Sequence, residues 1–231
     1  RDYMHVGKER FDYTPEDCLA FGENVKQYIV PAMRKINEHR RQKLGVDRLR
    51  PWDTSVDLDG ADAFEPFTDA AGHVDVSAKL MSAVAEDFGE ELRWMSSQGL
   101  LDLETRPHKG PGGFMDNLEK RRVPVIFANS GTTHGDVETL VHEGGHALNG
   151  LFCRDLEPVA YRMPPLEFAE VASMGLEALA MEHLEEVYPA DEAQRARRDS
   201  LEGMLSTFAW VATIDGFQHW IYTHPQHTRE E

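Results

Sequence analysis

The stretch Leu140-Val141-His142-Glu143-Gly144-Gly145-His146-Ala147-Leu148 determines how the rest of the chain is interpreted. On a helix, residues four apart lie on one face, so His142 and His146 can bind one metal ion. Glu143 then lies beside the open coordination position of that metal, where a general base is needed. This H-E-x-x-H pattern is typical of zinc hydrolases. It is also short enough to occur by chance, and catalytic zinc needs a third protein ligand.

The third ligand is sought on the predicted helix after Pro165, which carries the carboxylates of Glu167, Glu170 and Glu177. Glu170 follows His146 by 24 residues (170 − 146), enough for the chain to turn and return antiparallel to the first helix. We therefore predict Glu170 as the ligand, with Glu167 as the competing candidate. Glu177 lies two turns further along the same face, where it can support a ligand from behind.

Composition limits the classes of function. The chain has 231 residues with 41% hydrophobic residues, and its 24 basic against 41 acidic side chains give a net charge of −17. That charge opposes binding to nucleic acid or to anionic membranes. Only Cys18 and Cys153 are present, without metal-binding spacing, which favours a reducing cytoplasm. The sequence predicts no oligomeric state.

Hydrophobic periodicity predicts a mainly helical chain with one small β-sheet beside the metal-site helix. Thr14-Pro15-Glu16-Asp17 begins the first helix, and Pro31 is expected to kink it. We predict a single helix from Ser77 to Gly99, and an irregular connection over residues 45–75. Two further helices are predicted, one after Pro165 and one from about Asp191 to Trp220.

The sheet is predicted from short strands around a Gly/Pro-rich turn before the metal helix. Pro124 lacks an N–H, so the strand that contains it is expected at a sheet edge. A peptide substrate can add itself to such an edge as another strand. The candidate substrate-binding residues are therefore Phe127, Ala128 and Asn129 on this strand, with Gly112 and Gly113 in the turn before it.

Gly144 and Gly145 are unusual inside a helix, where each costs roughly 1 kcal/mol relative to alanine. One explanation is that small residues let another backbone approach closely, either the edge strand or the substrate. The alternative is that this segment is a glycine-rich loop.

The chemistry expected of such a site is amide hydrolysis. Zinc lowers the pKa of bound water toward roughly 7, and Glu143 can take that proton and deliver it to the leaving amine.

Several ordered segments resemble the oligoendopeptidase F and thimet oligopeptidase family of zinc peptidases. They are Pro51-Trp52-Asp53, Asp102-Leu103 with Lys109-Gly110-Pro111-Gly112-Gly113-Phe114, Val125-Ile126-Phe127-Ala128-Asn129, Leu140 to Ala147, and Ala169-Glu170-Val171-Ala172-Ser173. The resemblance implies that His142, His146 and Glu170 bind zinc, with Glu143 as the catalytic base. It also implies a helical fold with a deep channel that admits short unstructured peptides.

Family members are much longer, so residues 1–231 are expected to form one catalytic-domain portion of a longer peptidase. Within it we expect an N-terminal helical segment (1–50) and a zinc-site core (51–231). Two other interpretations remain: a non-catalytic fragment that binds zinc or peptide, and a related helical zinc carboxypeptidase. The presence of Glu143 favours an enzyme, because a site that only binds zinc needs no base.

Overall fold

The computed structural model of the protein describes residues 13–229. In these residues the α-helices are α1 (Pro15–Asn24), α2 (Val30–Leu44), α3 (Ala70–Val84), α4 (Glu86–Ser97), α5 (His134–Cys153), α6 (Ala169–Ala180) and α7 (Ala190–Thr223). The strands are β1 (Leu101–Glu104), β2 (Gly113–Leu118) and β3 (Val123–Ser130). The predicted mainly helical fold with one small sheet is confirmed.

The chain forms two compact units. The larger is Ala63–Arg197, and the smaller joins the chain up to Asp62 with the chain from Arg198 onward. The smaller unit contains the predicted N-terminal segment as far as the structure describes it, together with residues 51–62 and the second part of α7. Residues 1–12, which belong to the predicted N-terminal segment, lie outside the described residues.

The smaller unit contains α1, α2 and most of α7. The Thr14 hydroxyl accepts the N–H of Asp17 at 3.2 Å and the Asp17 carboxylate accepts the N–H of Thr14 at 2.8 Å, so the first helix begins where predicted. A π-helical turn, Val25–Ile29, precedes α2, in whose first turn Pro31 lies. The rings of Phe21 and Phe208 pack with their centroids 6.3 Å apart.

Helices α3 and α4 replace the single helix predicted from Ser77 to Gly99. The chain breaks at Ala85, whose backbone is extended (φ −155°, ψ 134°). The two helices then pack side by side, and both keep their apolar faces buried. The apolar side chains of the predicted helix therefore belong to two helices, and Leu80, Met81, Leu92 and Met95 are buried among them.

The sheet has the strand order β1-β3-β2, with β1 parallel and β2 antiparallel to β3. The prediction that the Pro124 strand lies at an edge is wrong, because β3 is central. Asn129 donates its N–H to Gly112 on the β2 side, whereas Ile126 donates to Leu100 on the β1 side, each at 2.9 Å. Pro124 shares the orientation of Ile126 but precedes the first β1 pairing, so no neighbouring strand needs its missing N–H.

The core of the larger unit lies between the sheet and helices α3 to α6. A continuous cluster of buried apolar side chains joins these elements, among them Ala78, Leu80, Met81, Leu92, Met95, Ile126, Val137, Leu140 and Leu176. The helix predicted after Pro165 consists of a 3-10 turn (Leu166–Phe168), α6, and a 3-10 segment (Met181–Glu186). No helix within residues 13–229 is both long enough and apolar enough to cross a membrane.

Candidate metal centre

Helix α5, which carries the two predicted histidine ligands, begins at a turn whose backbone donors are hydrogen-bonded. The Asp136 carboxylate accepts the N–H of Thr133 at 2.9 Å and that of Gly131 at 3.0 Å. These bonds satisfy donors that the start of a helix otherwise leaves free. The helix continues through both glycines, so the alternative of a glycine-rich loop is wrong.

The two glycines of the motif meet different neighbours. A Cβ at position 145 would lie 2.6 Å from the Cα of Ser173 and 2.7 Å from the carbonyl oxygen of Ala172. At Gly144, the nearest atoms belong to the flexible side chain of Met81, at 3.0 and 3.1 Å. Gly145 therefore does admit another backbone, as expected, but that backbone belongs to α6 and not to an edge strand or a substrate.

The close approach at Gly145 brings the first turn of α6 opposite the two histidines. The Oε2 atom of Glu170 lies 3.2 Å from Nε2 of His142 and 3.4 Å from Nε2 of His146. Zinc bonds of about 2.1 Å in tetrahedral geometry separate neighbouring ligand atoms by about 3.4 Å. Two imidazoles and one carboxylate at this spacing fit a zinc ion. Among the described residues, Glu167 does not belong to such a cluster.

Glu177 lies behind His142, where the sequence placed a supporting residue. Its Oε1 atom accepts a hydrogen bond from Nδ1 of His142, on the side of the ring away from Glu170. This bond raises the pKa of His142 above its ordinary value, against the opposing effect of burial. By holding the proton on Nδ1, Glu177 leaves Nε2 with a lone pair for a metal.

The carboxyl group of Glu143 is buried, with only 6% of the residue exposed. Burial raises its pKa, while His142, His146 and a hydrogen bond from the backbone N–H of Met115 act in the opposite direction. A carboxylate with a raised pKa beside a metal-binding cluster can accept a proton from water and return it to a leaving group.

The position of β3 changes where a peptide can pair. The backbone of Phe127 already pairs with Phe114 on β2 and with Asp102 on β1, so the segment Phe127–Asn129 has no free edge. The free edge is the outer side of β2. Because Gly112 bonds to Asn129 of β3, the alternation of an antiparallel pair turns the backbone groups of Gly113 and Met115 outward.

Sequence reasoning missed two groups that contact the cluster. The N–H of Met115 belongs to the backbone, so the residue type at this position gives no indication of the contact. The hydroxyl of Ser173 lies 2.7 Å from Oε2 of Glu170. Its position one helical turn after Glu170 was visible in the sequence and could have suggested the contact.

Comparison with known proteins gives consistent matches. The model of peptidase family M3 matches residues 1–231. Group B oligopeptidase PepB of Streptococcus agalactiae is 22% identical over 93% of this chain and 35% of its own length. Oligopeptidase PepF of Bacillus subtilis is 28% identical over 98% of this chain and 35% of its own. A crystal structure described as an oligoendopeptidase F from Bacillus anthracis shares 25% identity and a TM-score of 0.90, covering 100% of this chain and 42% of its own.

These matches confirm the resemblance seen in the sequence motifs. The chain spans between 26% and 35% of the length of the curated relatives it matches. Since the family model covers the chain from end to end and the fold agrees with the solved relative, the chain belongs to peptidase family M3.

Proposed function

We propose that this chain carries the catalytic centre of a zinc endopeptidase that hydrolyses short peptides. In this proposal His142, His146 and Glu170 bind zinc, and Glu143 is the general base. The observation that supports it most is the position of Glu170 Oε2, which lies within 3.4 Å of Nε2 of both histidines. This spacing matches the ligand separation of a tetrahedral zinc site.

The residues around the cluster have different roles in the proposed hydrolysis. A zinc ion bound there supplies Lewis-acid activation of water and of the scissile carbonyl. The Glu143 carboxylate accepts the proton of the attacking water and passes it to the leaving amine nitrogen. Its burial raises its pKa, which makes it a stronger base. The N–H of Met115 keeps this carboxylate in place.

The proposed peptide site is the outer edge of β2. An extended peptide can pair there with the outward backbone groups of Gly113 and with the carbonyl oxygen of Met115, whose N–H is already bonded to the Glu143 carboxylate. Gly112 and Gly113 remain in the proposal because they lie at the start of this edge. A Cβ at Gly113 would be 2.8 Å from the Thr139 side chain of α5, so glycine lets β2 lie close to the metal-site helix. Phe127–Asn129 contribute indirectly, as the central strand that supports β2. The names of the relatives, which are oligopeptidases, agree with short peptides as the substrate class.

The proposal includes a cytoplasmic location, supported by two cysteines that form no disulfide. It also treats the chain as one catalytic-domain portion of a longer peptidase. The competing functions are a zinc- or peptide-binding piece without catalysis and a zinc carboxypeptidase. The buried Glu143 with its raised pKa favours catalysis, because a site that only binds zinc does not need a base there.

Hydrolysis of an end-blocked fluorogenic peptide by the zinc-loaded chain tests the function. We expect turnover by the unaltered chain, and its loss in Glu143→Gln with the zinc content unchanged. Zinc binding without turnover in either protein would support the non-catalytic alternative. Cleavage only of peptides with a free carboxyl terminus would indicate a carboxypeptidase.

The metal ligands are tested by a matched pair of substitutions, Glu170→Ala and Glu167→Ala. Both remove a carboxylate from the same short stretch of chain. We expect Glu170→Ala to lose zinc and Glu167→Ala to keep it. The opposite result would show that the ligand assignment is wrong.

A further inference from the structure

Ser173 occupies a distinctive position beside the metal cluster. It is fully buried on α6, although Glu170, one turn earlier on the same helix, has a side chain that is 57% exposed. The Ser173 hydroxyl lies 2.7 Å from Glu170 Oε2 and 3.2 Å from the Glu170 carbonyl oxygen. Its single proton is shared most closely with the carboxylate.

The oxygen that Ser173 contacts is the same one that faces both histidines. Oε2 of Glu170 lies 3.2 Å from Nε2 of His142 and 3.4 Å from Nε2 of His146. A donor at this oxygen restricts rotation of the carboxyl group about its last bond, and so fixes the direction in which the oxygen facing the histidines points.

The hydroxyl is itself held rigidly relative to the histidines. The Cα of Ser173 lies against Gly145, so close that a Cβ at position 145 would be 2.6 Å away. Gly145 precedes His146 on α5. The backbone contact between the two helices therefore fixes the Cα of Ser173 beside the histidine-bearing helix, and the hydrogen bond to Oε2 places its hydroxyl.

Glu170 needs such support because its own surroundings provide little. Its side chain extends from the first turn of α6 into partly solvated space, where long acidic side chains sample several rotamers. Fixing the carboxylate before the metal arrives removes that loss of rotamer freedom from the binding step.

We infer that Ser173 is a positioning residue that holds the Glu170 carboxylate in the orientation that binds zinc. This inference rests on the proposed function, because it assumes that Glu170 is a metal ligand. Partners of this kind behind metal ligands typically change metal affinity by about 10- to 100-fold when removed. Ser173 supports the carboxylate ligand in the same way that Glu177 supports the imidazole of His142.

The decisive experiment measures zinc affinity by competition with a chromophoric chelator. We expect Ser173→Ala to raise the zinc dissociation constant by about 10- to 100-fold. The melting temperature of the metal-free protein should stay close to that of the unaltered chain, since alanine favours the helix. Ser173→Gly also removes the hydroxyl and carries the same expectation for zinc, but with a lower melting temperature because glycine disfavours the helix.

A double-substitution cycle separates positioning from a general structural role. Glu170→Ala should no longer retain zinc at concentrations that load the unaltered chain, so the residual affinity of the two histidines is measured at higher zinc concentration. In this background the hydroxyl has no carboxylate to hold, and adding Ser173→Ala should leave the residual dissociation constant unchanged. If Ser173 acted only on the packing of α6, it would weaken zinc binding equally in both backgrounds. That result would overturn the inference.

Ser77→Ala is the matched control. Ser77 is also fully buried in a helix, and its hydroxyl has no hydrogen-bond partner among the described residues. We expect its zinc affinity to equal that of the unaltered chain. If the zinc dissociation constant of Ser173→Ala also equalled that of the unaltered chain, only the inference about Ser173 would be wrong. If the unaltered chain bound no zinc, the proposed function would fall with it.

Discussion

His73 is a buried histidine that links α3 to the start of the metal helix. Its Nε2–H donates to the carbonyl oxygen of Asp136 at 2.9 Å, and its ring stacks on Phe67 with centroids 4.2 Å apart. Nδ1 has no hydrogen-bond partner within the described part of the chain. Protonation would place an unpaired positive N–H in an apolar contact, and burial accordingly lowers the pKa of His73.

This burial predicts a loss of stability in mild acid. The folded protein holds His73 neutral, whereas the unfolded chain takes up a proton below its ordinary pKa of 6.5. The contribution is therefore fully present above that pH and is lost as the pH falls toward the lowered folded pKa, with a slope of at most about 1.4 kcal/mol per pH unit. Urea unfolding of the metal-free chain at a series of pH values measures the slope. His73→Gln should reduce it, and an unchanged slope would contradict the assignment.

The paired glycines of the motif are expected to respond unequally to replacement by alanine. At Gly145 the added methyl meets the backbone of α6, which cannot move away without separating the helices. We expect Gly145→Ala to lower the free energy of unfolding by about 1 to 3 kcal/mol. Gly144→Ala meets only the end of the Met81 side chain, and its better helix propensity offsets the adjustment to within about 1 kcal/mol.

Urea unfolding of the two metal-free variants tests this difference. The control is internal, because both substitutions make the same chemical change at neighbouring positions. Equal losses of stability would show that the approach of α6 at Gly145 is not the constraint.

The turn between β1 and β2 is organised by two cations on one carboxylate. The Lys109 ammonium, whose side chain is only 1% exposed, bonds Asp102 Oδ1 at 3.0 Å and the carbonyl oxygen of Glu104 at 2.7 Å. It also lies 4.7 Å from the centre of the Phe127 ring. The exposed Arg106 binds both oxygens of the same Asp102 carboxylate, at 2.6 and 2.7 Å.

Burial predicts that the two cations matter unequally. Lys109→Met removes the buried charge and leaves its acceptors unpaired, so we expect the free energy of unfolding to fall by about 2 to 3 kcal/mol. Arg106→Met loses an ion pair that solvent already screens and should cost clearly less. Chemical denaturation of both variants makes the comparison, and a larger loss for Arg106→Met would refute it.

Elements defined by local patterns could be predicted from the sequence, whereas their interruptions could not. The capping residues Thr14 and Asp17 gave the start of α1 correctly. The break at Ala85 was missed because the apolar period continues across it and alanine provides no capping side chain. Glu86 and Asp87, which begin α4, were the available signal, since acids favour the first turn of a helix.

At the scale of the whole molecule, the sequence did not predict how segments far apart along the chain pack against each other. The spacing of His142 and His146 follows from one helix, so it could be read directly. Glu170 reaches the two histidines because α6 packs against Gly145. The family resemblance supported Glu170 as a ligand, but no local sequence pattern predicts this packing. The order of the strands depends on pairing between separated segments, and for that reason Pro124 suggested the wrong edge.

Zinc binding should stabilise the larger unit as a whole, because all the proposed ligands lie in it and the unfolded chain cannot hold them together. The expected gain in the free energy of unfolding is about 2.7 kcal/mol when free zinc exceeds its dissociation constant about 100-fold. Trp94 is the only tryptophan of this unit, so replacing Trp52, Trp210 and Trp220 with phenylalanine makes its fluorescence a local reporter.

In that reporter chain, zinc should raise the urea midpoint and a chelator should reverse the increase. His146→Ala, made in the same background, should unfold at one midpoint with or without zinc, because it removes one of the proposed ligands. An equal zinc-dependent shift in both proteins would place the stabilising ion somewhere other than the cluster of His142, His146 and Glu170.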